Sequence, residues 1–296
     1  MARQIQVIVN PAAGQPDPIL SILNKVFQEA GVEWQVDVTH QEGDGTRLAE
    51  EAVRRGVDVV AAYGGDGTVM EVVNGLIGSD VPLGILPGGT GDILSVELQI
   101  PRALEEAAKL VSAAEPRMRR LDLGKCGDRH FLLRLQTGLT ARQISMTTRE
   151  MRDQYGKLAY LVAALRALPS AKPARFQFTL DGEESHFEGI TCVVANAGSV
   201  GIPGLSLASE IHIDDGMLDL LAIRDFDLEA LSSLAASIAA LPPGAAELDH
   251  WQAREITIDS DPVQPVVADG EDLGQTPVAV EVVPQAISVI VPAPRD

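Results

Sequence analysis

Positive charge is scarce in this chain. Against 42 Asp and Glu it carries 23 Lys and Arg, a formal net charge of −19. So large an acid excess argues against duplex DNA or RNA as a partner, because nothing would neutralise the phosphates. It also argues against strong electrostatic adhesion to an anionic membrane. Long apolar runs are missing too, and no segment reaches the uninterrupted length needed to span a bilayer. The opening Met1-Ala2-Arg3-Gln4-Ile5-Gln6-Val7-Ile8-Val9-Asn10 is too short and too alternating for a signal peptide, so a cytoplasmic location is expected. Cysteine is limited to Cys126 and Cys192, which have no metal-type spacing and read as reduced, structural thiols. His40, His130, His186, His212 and His250 do not cluster, and none is assigned to catalysis. There is no internal repeat and no low-complexity tract.

What remains is ordinary globular material of 296 residues, 46% apolar and 22% charged, long enough for two domains or one large one. Its focus is residues 57–76. An apolar run, Val57-Asp58-Val59-Val60-Ala61-Ala62-Tyr63, reads as a strand buried on both faces. It breaks at Gly64-Gly65-Asp66-Gly67, and Val69, Val72, Val73 and Leu76 then recur at helical spacing. A strand–glycine–helix unit exposes backbone N–H groups at the positive end of a helix dipole, where phosphate is stabilised. Thr68 adds a hydroxyl. Asp66 is either the helix N-cap or an acid beside phosphates, which requires a divalent cation between them. The same grammar returns at once: Pro82-Leu83-Gly84-Ile85-Leu86-Pro87, then Gly88-Gly89-Thr90-Gly91-Asp92, then Ile93-Leu94-Ser95-Val96-Glu97-Leu98. Two such units predict two loops at the carboxyl edge of one parallel sheet, the edge where open α/β sheets bind ligands.

The rest of the first 122 residues alternates strands and helices. Strands are expected at 5–9 and 32–39. Helices are expected at 18–30, at 44–55 capped by Asp44 or Thr46, and at 102–114 opened by Pro101. From 123 to 296 strands dominate, at 129–136, 174–180, 187–195, 217–223, 255–259, 262–268, 278–283 and 286–291. Asp181-Gly182 is a hairpin turn, and helices are expected at 145–168 and 228–241. The fold class is thus α/β plus all-β: a parallel-sheet α/β domain over 1–122, then a mainly antiparallel β domain over 123–296. A site in the cleft between them is expected.

Asn10-Pro11-Ala12-Ala13-Gly14, Gly64-Gly65-Asp66-Gly67-Thr68, Pro87-Gly88-Gly89-Thr90-Gly91, Leu121-Asp122-Leu123-Gly124 and Asp269-Gly270-Glu271 occur in that order. The set resembles the lipid kinase family of diacylglycerol kinases, sphingosine kinases and their soluble bacterial relatives, along nearly the whole chain. The resemblance implies a β-sandwich second domain and ATP as phosphoryl donor. It implies nucleotide contacts from Asn10, Thr39, the Gly65, Asp66, Gly67, Thr68 and Glu71 loop, and Thr90. It implies catalytic Mg²⁺ held through water by Asp66 and Asp122, and a base for the acceptor hydroxyl from Asp269 and Glu271. It further implies a structural Mg²⁺ held by the Asp215 carboxylate and the backbone carbonyls of His212 and Met217. The implied reaction is phosphorylation of a lipid alcohol such as diacylglycerol, with transient contact at a membrane surface, no nucleic-acid partner and a homodimer admitted.

The residues leave alternatives open. Asp-Gly-Glu occurs twice, and Asp181-Gly182-Glu183 is fully explained as a turn, so Asp269-Gly270-Glu271 reads either as a turn or as the base. Ala13, Gln15 and the pair Asp92-Ile93 depart from the family pattern, and Ile93 in place of an acid thins the expected Mg²⁺ network. An NAD kinase-like enzyme, sharing the Gly-Gly-Asp-Gly-Thr element, and a nucleotide-binding regulatory protein without turnover are the rival readings. Arg142, Arg149, Arg152 and Lys157 form the one locally basic stretch, either a solvated helix face or a patch meeting a lipid surface.

Overall fold

The computed structural model describes residues 2–13, 18–89, 91–138, 173–204, 206–223 and 249–294. The helices expected at 145–168 and 228–241, the basic stretch and Thr90 lie outside the described residues. The chain divides into two compact units: Met1–Asp122 with Gln285–Asp296, and Leu123–Pro284. The C-terminal segment therefore returns to the first unit, a return absent from the sequence reading, which ran the second domain to 296.

The first unit is built on a parallel sheet. β1 (Gln4–Val9), β2 (Glu33–Val38), β3 (Val59–Gly64) and β4 (Leu83–Pro87) lie in the order β2-β1-β3-β4. Every residue of β3 and β4 is buried, as a sheet covered on both faces requires. α1 (Ile19–Glu29), α2 (Asp44–Arg55), α3 (Asp66–Leu76), α4 (Ile93–Glu97) and α5 (Leu104–Ser112) follow successive strands. α1 turns Leu23, Val26 and Phe27 inward, and Phe27 meets Trp34 of β2 edge-on at 5.6 Å between ring centres.

Local details correct the expected caps. The N-cap of α2 is Gly43, in the left-handed region at φ 85°; Asp44 is the first helical residue instead. The Asp44 carboxylate accepts the N–H of His40 (2.9 Å) and Gln41 (3.2 Å). Those N–H groups and the guanidinium of Arg47 hold its pKa below the ordinary aspartate value. Thr46 does not cap either; its Oγ1 donates to the carbonyl of Glu71 on α3 at 2.9 Å. α5 starts at Leu104 rather than directly after Pro101, and ends at Ser112.

In the second unit, β6 (Arg129–Phe131) pairs with the end of β5 (Met118–Cys126), a strand that runs on from the first unit. β7 is Arg134–Gly138, β8 Ala174–Leu180, β9 Glu183–Gly189, β10 Thr191–Ala195 and β11 Leu218–Ile223. β12 is Asp249–Ala253, β13 Glu255–Asp261, β14 Pro265–Ala268, β15 Glu271–Gln275 and β16 Val278–Ile290. One antiparallel sheet has the order β12-β11-β10-β7-β14-β15. In the other, β13 pairs with β8 and with residues 278–281 of β16, and β8 pairs with β9. Burial alternates strictly along β13. The inward residues Phe176, Phe178, Phe187 and Ile258 of one sheet share a core with Val194, Leu220 and Val266 of the other, an antiparallel β-sandwich.

Four expected strands differ. Residues 187–195 are two strands in different sheets, divided at Ile190, and 129–136 likewise divide between β6 and β7. The segments at 278–283 and 286–291 are one strand, β16, which continues through Pro284. There Gln285 adopts φ 50° and gives its N–H to the side-chain carboxylate of Asp122, on the neighbouring strand β5, at 2.7 Å.

Candidate active site

The predicted phosphate loops converge. β3 ends at Gly64 and β4 at Pro87, paired in parallel register, so both glycine turns leave the same sheet edge. Gly88 N–H donates to Gly64 O at 3.0 Å. A Cβ on Gly89 would lie 2.6 Å from the Cα of Gly65, so only glycine lets the two loops approach this closely. The end of β1 joins them: Asn10 N–H donates to Tyr63 O at 3.0 Å, and Asn10 Nδ2 donates to Thr68 Oγ1 at 2.9 Å. Thr39, at the end of β2, is buried and donates its N–H to Val9 O. Asn10, Thr39, Gly65 and Thr68 thus come from one edge of the parallel sheet, beside the start of α3.

Asp66 is not the N-cap of its own helix. That position is Gly65, and no side chain caps α3. The Asp66 carboxylate instead accepts the N–H groups of Ile93 and Leu94, each at 3.0 Å, and closes the start of α4. Asp92, at φ 47°, accepts the N–H of Gly89 at 2.9 Å. The first glycine loop therefore holds the second in place through a charged side chain. Glu71 is also turned to a neighbouring helix, accepting Gly45 N–H at 2.8 Å in the first turn of α2. Asp122 is buried, with its carboxylate on Gln285 N–H.

In the β unit, Asp269-Gly270 is a turn between β14 and β15, with φ 47° and 96°, the geometry also found at Asp181-Gly182 (49° and 90°). In both copies the aspartate accepts backbone N–H groups: Asp181 those of Arg254 and Glu255, Asp269 those of Leu132, Leu133 and Arg134. The copies differ in the number and grip of those bonds. Leu132 N–H lies 2.6 Å from Asp269 Oδ2, Arg134 N–H 2.9 Å from Oδ1, and Leu133 N–H is shared at 3.1 Å to each. Burial pushes the Asp269 pKa up, opposed by these N–H groups and by the Arg134 guanidinium. Glu271 is exposed and paired with Arg129 at 3.3 Å. Asp215 accepts Met217 N–H at 3.0 Å, closing a turn at Gly216 four residues beyond His212.

Sequence reading missed a further polar cluster. The fully buried Asp219 lies 2.6 Å from His250 Nε2 and accepts from Gln252 Nε2 at 3.0 Å, joining β11 to β12. Only the outward register of 219, 250 and 252 signals it, and that requires the strand β12. Among the described residues no helix is long and apolar enough to cross a membrane.

A parallel α/β unit with two glycine loops, followed by an antiparallel β-sandwich, is the architecture of the lipid kinase family. Residues 4–126 match the diacylglycerol kinase catalytic domain, and residues 134–291 match the YegS C-terminal NAD kinase beta sandwich-like domain, so the chain belongs to that family. It is 31% identical to the diacylglycerol kinase of Bacillus subtilis over 76% of this chain and 75% of that protein. It is 32% identical to the Escherichia coli protein named "Probable lipid kinase YegS", over 90% and 89%. A crystal structure of a diacylglycerol kinase from Bacillus anthracis superimposes with TM-score 0.80 at 27% identity, covering 98% of this chain and 97% of that one.

Proposed function

We propose that the protein transfers the γ-phosphoryl group of ATP to the hydroxyl of diacylglycerol or a related lipid alcohol, in a Mg²⁺-dependent reaction. The contact of the Gly65 and Gly89 loops at one sheet edge, in a chain of the lipid kinase family, carries this reading. Asn10, Thr39, Gly65, Gly67, Thr68, Glu71 and Thr90 form the nucleotide side. The first intrahelical bond of α3 runs from Val69 N–H to Gly65 O, so the helix itself takes no N–H from Gly67 or Thr68, and these can meet phosphate.

The acids fit a hard cation, which takes oxygen ligands. The two N–H bonds on Asp66 fix its carboxylate in one orientation, as outer hydrogen bonds do for a carboxylate that serves a metal. Asp66 and Asp122 would hold the catalytic Mg²⁺ through water, and Asp215 with the carbonyls of His212 and Met217 a structural one. Mg²⁺, when bound, neutralises charge on the phosphate oxygens.

Asp269 serves as base. Three N–H groups orient its carboxylate, and Leu133 N–H is shared between both oxygens, so the acceptor hydroxyl would take the place of one arm of that shared bond. As the acceptor oxygen attacks the γ-phosphorus, Asp269 takes its proton; the bond to the β,γ-bridging oxygen breaks and ADP leaves. Glu271 lies next to that turn and assists.

The test is transfer of label from ATP into a total lipid extract, with Mg²⁺ and with it chelated. A Mg²⁺-dependent labelled lipid is expected, and its mass names the acceptor. Ile93 beside Asp66, where an acid is expected, favours one second reading, a nucleotide-binding regulator. ATP binding without any labelled lipid would select it.

A further inference from the structure

The segment Leu132-Leu133-Arg134 is gripped from both sides. On one side Asp269 uses its carboxylate on all three N–H groups and its own N–H on Arg134 O, at 3.1 Å. On the other side lies Asn196, fully buried just after β10. Its Nδ2 donates to Leu132 O at 2.7 Å, its backbone N–H donates to Leu133 O at 2.9 Å, and Ala197 N–H donates to the same carbonyl at 3.1 Å. Arg134 closes the frame, with Nη2 donating to Ser199 O at 2.7 Å. The register explains the convergence: Arg134 faces Ala195 across β7–β10, and Leu135 faces Ala268 across β7–β14. Each peptide group of the segment is thus held by Asn196 or its neighbour through one atom and by Asp269 through another.

We infer that Asn196 is a positioning residue for the Asp269 carboxylate, acting through the peptide groups of Leu132–Arg134. This rests on the assignment of Asp269 as base. Three N–H groups in a row make a cradle only while their peptide planes stay oriented, and the Leu132 carbonyl belongs to the same peptide group as the Leu133 N–H. Deleting the Asn196 amide frees that plane to rotate. The N–H bond to Asp269 then lengthens, the carboxylate tilts, and its proton affinity rises because an N–H that favoured the charged form is weakened. The nucleotide loops belong to the other unit of the chain.

The experiment compares Asn196→Ala, Asp269→Asn and the double variant in steady-state kinetics across pH, with Mg²⁺ATP and dispersed lipid. Expected for Asn196→Ala is a kcat reduced roughly 10- to 100-fold, an unchanged KM for ATP, and an acid limb of kcat displaced to higher pH. The double variant is expected to lose nothing beyond Asp269→Asn. Wild-type kcat and acid limb in Asn196→Ala, or a full further loss on the Asp269→Asn background, overturns the inference. Wild-type turnover by Asp269→Asn overturns the base assignment instead, a distinct result. Because a buried substitution can unfold the chain, the Asp269 carboxyl is also titrated by ¹³C NMR in the milder Asn196→Ser. A raised midpoint supports the inference and an unchanged one overturns it.

Discussion

Gly65 and Gly89 touch backbone to backbone: a Cβ on Gly89 would sit 2.6 Å from the Cα of Gly65 and 2.7 Å from Asp92 Oδ1. A side chain on Gly89 therefore has to push a backbone atom, which cannot rotate aside. Gly67, two residues after Gly65, is the opposite case, with open space where its Cβ would go. The pair separates two demands on one loop, contact between loops and contact with ligand.

Gly89→Ala is expected to lose about 1–3 kcal/mol of stability through overpacking and to raise KM for ATP. Gly67→Ala is expected to stay within about 0.5 kcal/mol of wild type yet also raise KM for ATP, because the open space is where phosphate would lie. Thermal melting with ATP-dependence kinetics checks both. Normal ATP kinetics in Gly67→Ala would remove phosphate from that position.

Gly75 tests packing against propensity. In an exposed helix Ala is favoured over Gly by about 1 kcal/mol. In α3 a Cβ at Gly75 would run into the carbonyl oxygen of Thr46 and lie 2.7 Å from the Cβ of Ala49. The clash should decide the sign, and Gly75→Ala should destabilise the chain by about 1–2 kcal/mol. A urea-unfolding midpoint at or above wild type would show that α2 and α3 can separate without cost.

The role proposed for Asp66 at Mg²⁺ can be separated by substitution from the bonds it makes to the start of α4. Asp66→Ala leaves the N–H groups of Ile93 and Leu94 without their acceptor, which should cost about 1–2 kcal/mol, the scale of a lost helix cap. Asp66→Asn keeps one acceptor oxygen and should recover part of that stability. Neither variant should recover phosphoryl transfer, since a neutral amide is a poor Mg²⁺ ligand. Substantial lipid labelling by Asp66→Asn would leave Asp66 as a cap alone.

The same residues mark where sequence was legible and where it was not. The two glycine units and the alternation of β8 and β13 are local patterns, and local patterns fix local structure. Asp66 reads locally as an N-cap, because the rule looks a few residues ahead; its partners lie 27 and 28 residues on, beyond a strand and a loop. Glu71, Thr46 and Asp122 were likewise claimed by long-range partners. The break at Ile190 follows Gly189, but which sheet each half joins is set by partners elsewhere in the chain, β8 for β9 and β7 with β11 for β10. The two Asp-Gly-Glu copies show the limit most clearly: the same tripeptide makes the same turn twice. What distinguishes Asp269 is a segment 135 to 137 residues earlier in the chain.

That distinction has a pH signature. A base must be ionised to accept the hydroxyl proton, so turnover falls as pH drops through the pKa of Asp269. Burial raises that pKa above the ordinary aspartate value, while the three N–H groups and Arg134 pull it back. The raised direction places the acid limb of kcat above the usual aspartate range. For stability the sign is reversed. An acid whose folded pKa is raised favours the folded state most below its unfolded pKa, and that advantage is lost as pH rises through the folded value. As the proposed base, Asp269 should therefore gain activity over the pH window in which it gives up stability. Arg134→Gln removes a cation that favours the charged carboxylate and should move the acid limb of kcat further up. A limb that stays put in Arg134→Gln would assign it to another group.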